Sequence, residues 1–354
     1  MGMPSVTISF TEKAATAVKR GERGRVALIL KDTNIPEQNP VVCLSNEDIP
    51  KTLSEKNKEQ IKLALMGYVN APKKVVAFII SEGTEGYGEA LDFLKTIPFD
   101  YLAVPGAETD GVKQNIISYV KAQRQQKKLI KAVLPNAEAD HEGIINYATE
   151  KVTADGKEYS AEEYCARIAG IIAGTPITIS STYAPLTELT DCTRLTKEAM
   201  DTAVDAGKFI VWHDGEKVKT ARAVNSLATT TDKKGDSFKK VKIVEAMDMI
   251  SSDITKTAED SYLGKYANSY DNKCLLLSAV HSYLKQLVND GVLSSEQVEI
   301  DIDANKAYLE AHGTKTEDMD GNALKMADTG SSVFLKAKIK ILDAIEDIVL
   351  PIEI

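Results

Sequence analysis

Asp301, Asp303 and Asn305 stand at the first three spacings of a calcium-binding loop. The sixth position is Lys306, where that loop needs glycine, and the twelfth is His312, where it needs a bidentate glutamate. A strand-to-helix turn capped by Asp303 suits these residues better. Glu317, Asp318, Asp320 and Asp328 gather in a glycine-containing stretch, residues 317–328, that reads as a solvated acidic loop ahead of a weak cation site. His141, His213, His281 and His312 share no ligand spacing, and His141-Glu142 lacks the second histidine of a zinc helix. His281 reads as a packed or boundary residue. Gly83, Gly86 and Gly88 are in the wrong order for a dinucleotide cradle, and neither a phosphate loop nor a nucleophile elbow occurs. These residues name no catalytic group, no cofactor and no metal.

Composition narrows the classes further. At 354 residues the chain is long enough for two domains, and its 43% hydrophobic and 27% charged content is that of a globular protein. A net charge of −9 disfavours nucleic acid as the main partner. The basic runs at 124–131 and 239–242 read as solvated helix faces. Cys43, Cys165, Cys192 and Cys274 are far apart and read as reduced thiols of a protein made in the cytoplasm. The polar start does not resemble a secretion signal, and the strongly apolar run at 168–173 is too short to span a bilayer, so no membrane insertion is expected.

The elements that would position any site follow from periodicity. Residues 25–30, 41–44, 75–80, 101–104 and 129–134 read as strands. Helices are expected after Ser54, over 89–96 and 112–125, and over 159–172, whose small-residue face is Ala166, Ala169, Gly170, Ala173 and Gly174. Strand and helix alternate over about 24–187, which predicts a parallel sheet covered by helices. Beyond it the pattern becomes α+β: strands at 208–213 and 217–223 joined at Asp214-Gly215, helices at 238–258 and 271–289, and a strand at 298–302. Trp212 is expected as a core or interface anchor.

Both chain ends are written as strands. Val6, Ile8 and Phe10 alternate with polar residues, as do Leu335, Ala337, Ile339 and Ile341 with lysines. Ile348, Leu350, Ile352 and Ile354 alternate again up to the last residue. The ends either pair with each other in one chain or are donated to another subunit. Burying the last four apolar residues is worth about 6–12 kcal/mol gross, and each net hydrogen bond about 1 kcal/mol. Fixing ten residues costs about 10–20 kcal/mol, before any association penalty. A single donated arm is marginal, whereas many arms engaged in a lattice are not.

The runs WHDGEKVK at 212–219, ARAVNSL at 221–227, FKKVKIVEAMDMI at 238–250 and NSYDNK at 268–273, with the closing 328–354, carry a family resemblance. The chain resembles the contractile tail sheath proteins of myophages, and is most similar to sheaths of R-type bacteriocins and defective prophages of Gram-positive bacteria, including diffocin-like particles. The alternative is an α/β hydrolase-like or nucleotide-binding enzyme with an oligomerisation domain, which the motif search disfavours.

The resemblance implies an N-terminal arm over 1–24 that joins the C-terminal domain of a neighbour. It implies an outer α/β domain over 25–188, with a subtilisin-like topology but no protease site. An inner α+β sheath core domain over 189–343 and a C-terminal strand arm over 344–354 complete it, with the terminal β-strands exchanged between subunits. The arm residues would be Val6, Ile8, Phe10, Ile348, Leu350, Ile352 and Ile354. The receiving strands would carry Phe209, Val211, Val218, Leu335, Ala337 and Ile339. Residues 11–24 and 342–347 would be hinges, and Lys239, Lys240 and Lys242 candidate contacts to an inner tube. The implied partners are further copies of the chain in a helical homopolymer, the inner tail tube protein, and baseplate and tail terminator proteins, with no nucleic acid. The implied sites are the bacterial cytoplasm during assembly, then an extracellular particle.

Overall fold

In the computed structural model, which describes residues 16–353, the apolar runs become the centre of a parallel sheet. The chain divides into two units. The larger holds residues 22–248 and 343–354; the smaller holds 249–342 with the stretch ending at Gly21.

The larger unit begins with β1 (Arg25–Asp32), β2 (Val41–Cys43), α1 (Glu55–Leu65), β3 (Lys74–Ser81), α2 (Gly88–Leu94), β4 (Tyr101–Ala103) and α3 (Lys113–Gln125). It continues through β5 (Lys131–Pro135), β6 (Ile144–Tyr147), β7 (Lys151–Ala154), β8 (Lys157–Ser160), α4 (Ala161–Ala173) and β9 (Asp191–Cys192). Then come α5 (Lys197–Asp205), β10 (Lys208–Phe209), β11 (Val211–His213), β12 (Val218–Thr220) and the first part of α6 (Val241–Ser261). A seven-stranded sheet runs β10-β6-β5-β4-β1-β3-β2, parallel except for β2.

Period-two alternation sends successive residues of each strand to opposite faces, and both faces are dry. Val26, Leu28 and Leu30 join a core with Val75, Ala77, Ile79 and residues of α1 and α4. Ala27 and Ile29 join a second core with Phe78, Ile80, Leu94, Ile116 and Val120. The small-residue face of α4 lets it approach α1 closely: a Cβ on Gly170 would stand 2.2 Å from the Ala64 carbonyl oxygen. Ser160 starts α4 with a capping box to Glu163.

The smaller unit contains the rest of α6, α7 (Tyr270–Asn289), β13 (Leu293–Ile300), α8 (Ile302–Ala311), α9 (Gly321–Met326) and β14 (Leu335–Ile341). β13 and β14 form an antiparallel pair, with Ile300 opposite Leu335 and Val298 opposite Ala337. Gly291, at φ +73°, ends the α7 region in a left-handed conformation that glycine adopts without strain.

Several expectations are corrected. The stretch 208–213 is not one strand: β10 adds to the parallel sheet beside β6, while β11 turns into a hairpin with β12. The expected boundary at 188/189 is not where the compact units part, because β9 pairs with β7 and β10 with β6. The strand sought at 298–302 begins earlier, at Leu293, and Asp301, not Asp303, caps α8 by accepting from the Ala304 amide at 3.0 Å. Residues 342–353 form no strand within their own chain. No helix among the described residues is long and apolar enough to cross a membrane.

Candidate functional site

The residues with chemical potential are engaged in structure. Among the described residues no group of three His, Cys, Asp or Glu side chains could hold a metal ion. Asp301 is a helix cap, Asp320 caps α9, and Asp328 accepts from the Gly330 amide at 2.9 Å. Burial pushes the Cys43 and Cys192 thiols up to about 11 and Cys165 well above its usual range, so these sulfurs stay protonated and unreactive. Burial lowers His141 to about 4 despite the neighbouring Glu142. His281 is partly exposed and lies 3.1 Å from Glu296. Trp212 packs at 5.7 Å against Tyr183.

The basic run at 124–131 is solvated only in part: Lys127 and Lys128 are exposed, but Arg124 and Lys131 are engaged inside. Arg124 makes a two-pronged pair with Asp248, at 2.9 and 3.0 Å. Lys131, 1% exposed, reaches Asp248 at 2.7 Å and Glu245 at 2.5 Å. Arg23 meets the other oxygen of Glu245 at 2.5 Å. Glu245 and Asp248 are three apart on α6 and therefore share a face. Burial would raise Glu245, but Lys131 and Arg23 hold it down to about 2.

The proposed receiving residues separate into two groups. Phe209, Val211 and Val218 are fully buried within their own unit. The hairpin β11–β12 also has its main chain engaged. The Val211 amide donates to Thr149 Oγ1 at 2.8 Å, the Leu186 amide to the Val218 carbonyl at 2.9 Å, and the Thr220 amide to the Ala184 carbonyl at 3.0 Å. These positions therefore do not present a free strand edge. Leu335 and Ile339 are only half-buried and Ala337 is exposed, on a sheet of two strands with no third strand among the described residues. Two strands alone are marginal in water, and their outer edges invite another.

The described candidate residues of the C-terminal arm are exposed. Ile348 is 82% exposed, Leu350 74% and Ile352 75%. Val6, Ile8, Phe10 and Ile354 lie outside the described residues. Of the hinge candidates, residues 11–15 lie outside the described residues, and several of the others are tied down. In the smaller unit the Lys19 amide donates to Thr257 Oγ1 at 3.3 Å, the Gly21 amide to Asp253 Oδ1 at 2.8 Å, and Tyr262 donates to the Thr16 carbonyl at 2.9 Å. In the larger unit Thr182 Oγ1 donates to Glu346 at 2.6 Å and Arg222 to Asp347 at 2.7 Å.

Lys239, Lys240 and Lys242, the candidate tube contacts, do not form the solvated face expected of 239–242. Lys239 pairs with Asp236 at 2.9 Å. Lys240 pairs with Asp343 and, at 3.1 Å, with Glu346. Lys242 is buried. Sequence reasoning missed Thr182, Arg222 and Glu346 as a set. The acidic break of Asp343, Glu346 and Asp347 was the available signal, and Arg222 lies within one of the family-like runs.

Comparison with known proteins bears directly on this arrangement. A family model described as phage tail sheath protein central domain matches residues 81–226, and one described as phage tail sheath C-terminal domain matches 233–354. The chain is 39% identical over 354 residues to the tail sheath protein of Clostridium phage phiCD119, covering 98% of each. Its fold resembles the crystal structure of a sheath tail protein from Desulfitobacterium hafniense, with TM-score 0.72 and 19% identity over 84% of this chain and 94% of that one. It also resembles the helical sheath of the anti-feeding prophage in its contracted state, with TM-score 0.74 and 15% identity over 100% and 99% of the two chains.

Proposed function

The chain belongs to the phage tail sheath family, and from that premise we propose that it polymerises around an inner tail tube and contracts to drive the tube through a cell envelope. It is a structural sheath subunit, so the enzyme alternative is left without support. The carrying observation is the alternating apolar stretch of Ile348, Leu350 and Ile352, exposed and unpaired in its own chain. The half-covered strand β14, with Leu335, Ala337 and Ile339, is the complementary feature.

In this reading the last strand of one subunit adds to the β13–β14 sheet of the next, and main-chain hydrogen bonds supply affinity while alternation sets register. Each link is weak, so assembly is nucleated and collective. Contraction is a shift between two packings of the same subunits, with the arms keeping their pairing. The larger unit supplies the outer α/β layer, for which a subtilisin-like arrangement is the reading. Tube, baseplate and terminator proteins are the remaining partners of a particle assembled in the bacterial cytoplasm and released from it. Electron microscopy of the purified chain tests the reading. Long hollow tubes are expected; a monodisperse monomer at every concentration would overturn it.

A further inference from the structure

We propose that residues 343–347 are not a hinge but a closed anchor, so that the C-terminal arm begins at Ile348. The inference rests on the strand-donation reading above and adds where the arm is launched.

The burial pattern of this segment is inverted. The Glu346 side chain is 6% exposed, while its apolar neighbours Ile345 and Ile348 are 86% and 82% exposed. A flexible linker would place its carboxylate in water and turn its isoleucines inward. Here the charged group is the one held. Thr182 donates to one Glu346 oxygen, and Lys240 and Arg222 face the other at 3.1 and 3.6 Å. Arg222 also takes Asp347, and Lys240 also takes Asp343, so two cations grip three carboxylates along five residues. Burial alone would lower Lys240, but Asp343 and Glu346 hold it above its usual value.

The receiving group is also held by its own neighbours. Thr182 Oγ1 accepts from the Ala223 amide at 3.0 Å and from Ser180 Oγ at 2.9 Å, which leaves its own proton for Glu346. The anchor residues all belong to the larger unit. The Glu346 contacts, at a side chain 6% exposed, are little screened by salt, whereas Asp347, 76% exposed, adds little.

The consequence is a fixed launch point: the strand that receives the arm in a second copy is reached from Asp347 rather than from Leu342, and the anchor keeps that point fixed while subunits move.

Digestion of the unassembled full-length chain with a glutamate-specific protease tests this. Wild type is expected to be cut after Glu353 at least 10-fold faster than after Glu346. In the double variant Arg222→Ala, Lys240→Ala the two rates converge, and tube growth slows at least 10-fold. Thr182→Val, a milder change that keeps both cations, is expected to shift both readouts in the same direction. Equal cleavage at Glu346 and Glu353 in wild type, or wild-type assembly by the double variant, would overturn the anchor. Failure of the donation reading is separable. A Leu350→Asp chain that still forms tubes while Glu346 stays protected would refute donation and leave the anchor standing.

Discussion

Lys131 Nζ lies 2.7 Å from Asp248 Oδ2, joining the first residue of a central strand to the second turn of α6. Arg124 grips the same carboxylate, so one aspartate contacts two buried cations, of which Lys131 is shared with Glu245. Removing one partner of such a group leaves the others charged and dry, which costs about 3–5 kcal/mol. Asp248→Asn is therefore expected to lower the stability of the unassembled chain by that amount, read from urea unfolding. A loss below 1 kcal/mol would show that water already reaches the cluster.

Acid should weaken the larger unit within a defined window. Asp32 and Glu245 are both held down to about 2, from ordinary values of 3.8 and 4.5. Burial opposes ionisation in each case. It is overcome at Asp32 by hydrogen bonds from Asn34, Asn57 and Ser54, and at Glu245 by Lys131 and Arg23. A depressed native value means that the unfolded chain takes up protons first, so stability is full above about 4.5 and lost as pH falls toward 2. Unfolding midpoints are expected to be insensitive to these two groups from pH 7 to 5 and to fall below 4.5. Glu245→Gln should flatten part of that fall.

Much of the α/β layer was legible because a buried parallel strand is written as a continuous apolar run. Residues 75–80 are such a run, and β3 is the strand they make. The short strands β6 to β9 were not legible. They have two to four residues each, too few for a period to register, and only their partners define them. The buried roles of Arg124 and Lys131 were hidden for a related reason: their carboxylates are about 120 residues away in sequence. At the C-terminus, alternation marked Ile348, Leu350 and Ile352 as one apolar row, but Glu346 could not be distinguished from a solvated acid without Thr182, Arg222 and Lys240 around it.

Gly170→Ala offers a test of the helix pair. Alanine is the better helix former by about 1 kcal/mol. Its Cβ, however, would stand 2.2 Å from the backbone oxygen of Ala64, and overpacking against backbone costs about 1–3 kcal/mol. A net loss of stability is expected by thermal unfolding. A gain would contradict the close approach of α1 and α4.

Two of the family-like runs meet in the smaller unit. Asn268 Nδ2 donates to the Gly330 and Ser332 carbonyls at 2.7 and 3.0 Å, and buried Lys273 donates to the Ala327 carbonyl and Thr329 Oγ1 at 2.9 and 3.0 Å. Together they shape the turn that feeds β14. Asn268→Ala removes bonds to an exposed and a part-buried carbonyl and is expected to cost about 0.5–1.5 kcal/mol. Hydrogen exchange should rise across 329–341 and remain unchanged in β1 and β3. Uniform exchange across both units would contradict this local role.

The central claim is that the last strand belongs to a neighbouring subunit. Leu350→Asp places a charge in the apolar row of the arm at a position 74% exposed in the single chain, so folding of the monomer should be untouched. Negative-stain electron microscopy of purified wild type and variant, at matched concentration and with unfolding midpoints recorded, is the direct measurement. The account predicts hollow tubes for wild type and none for the variant, with equal midpoints. Tubes of the same length and number from Leu350→Asp would contradict it.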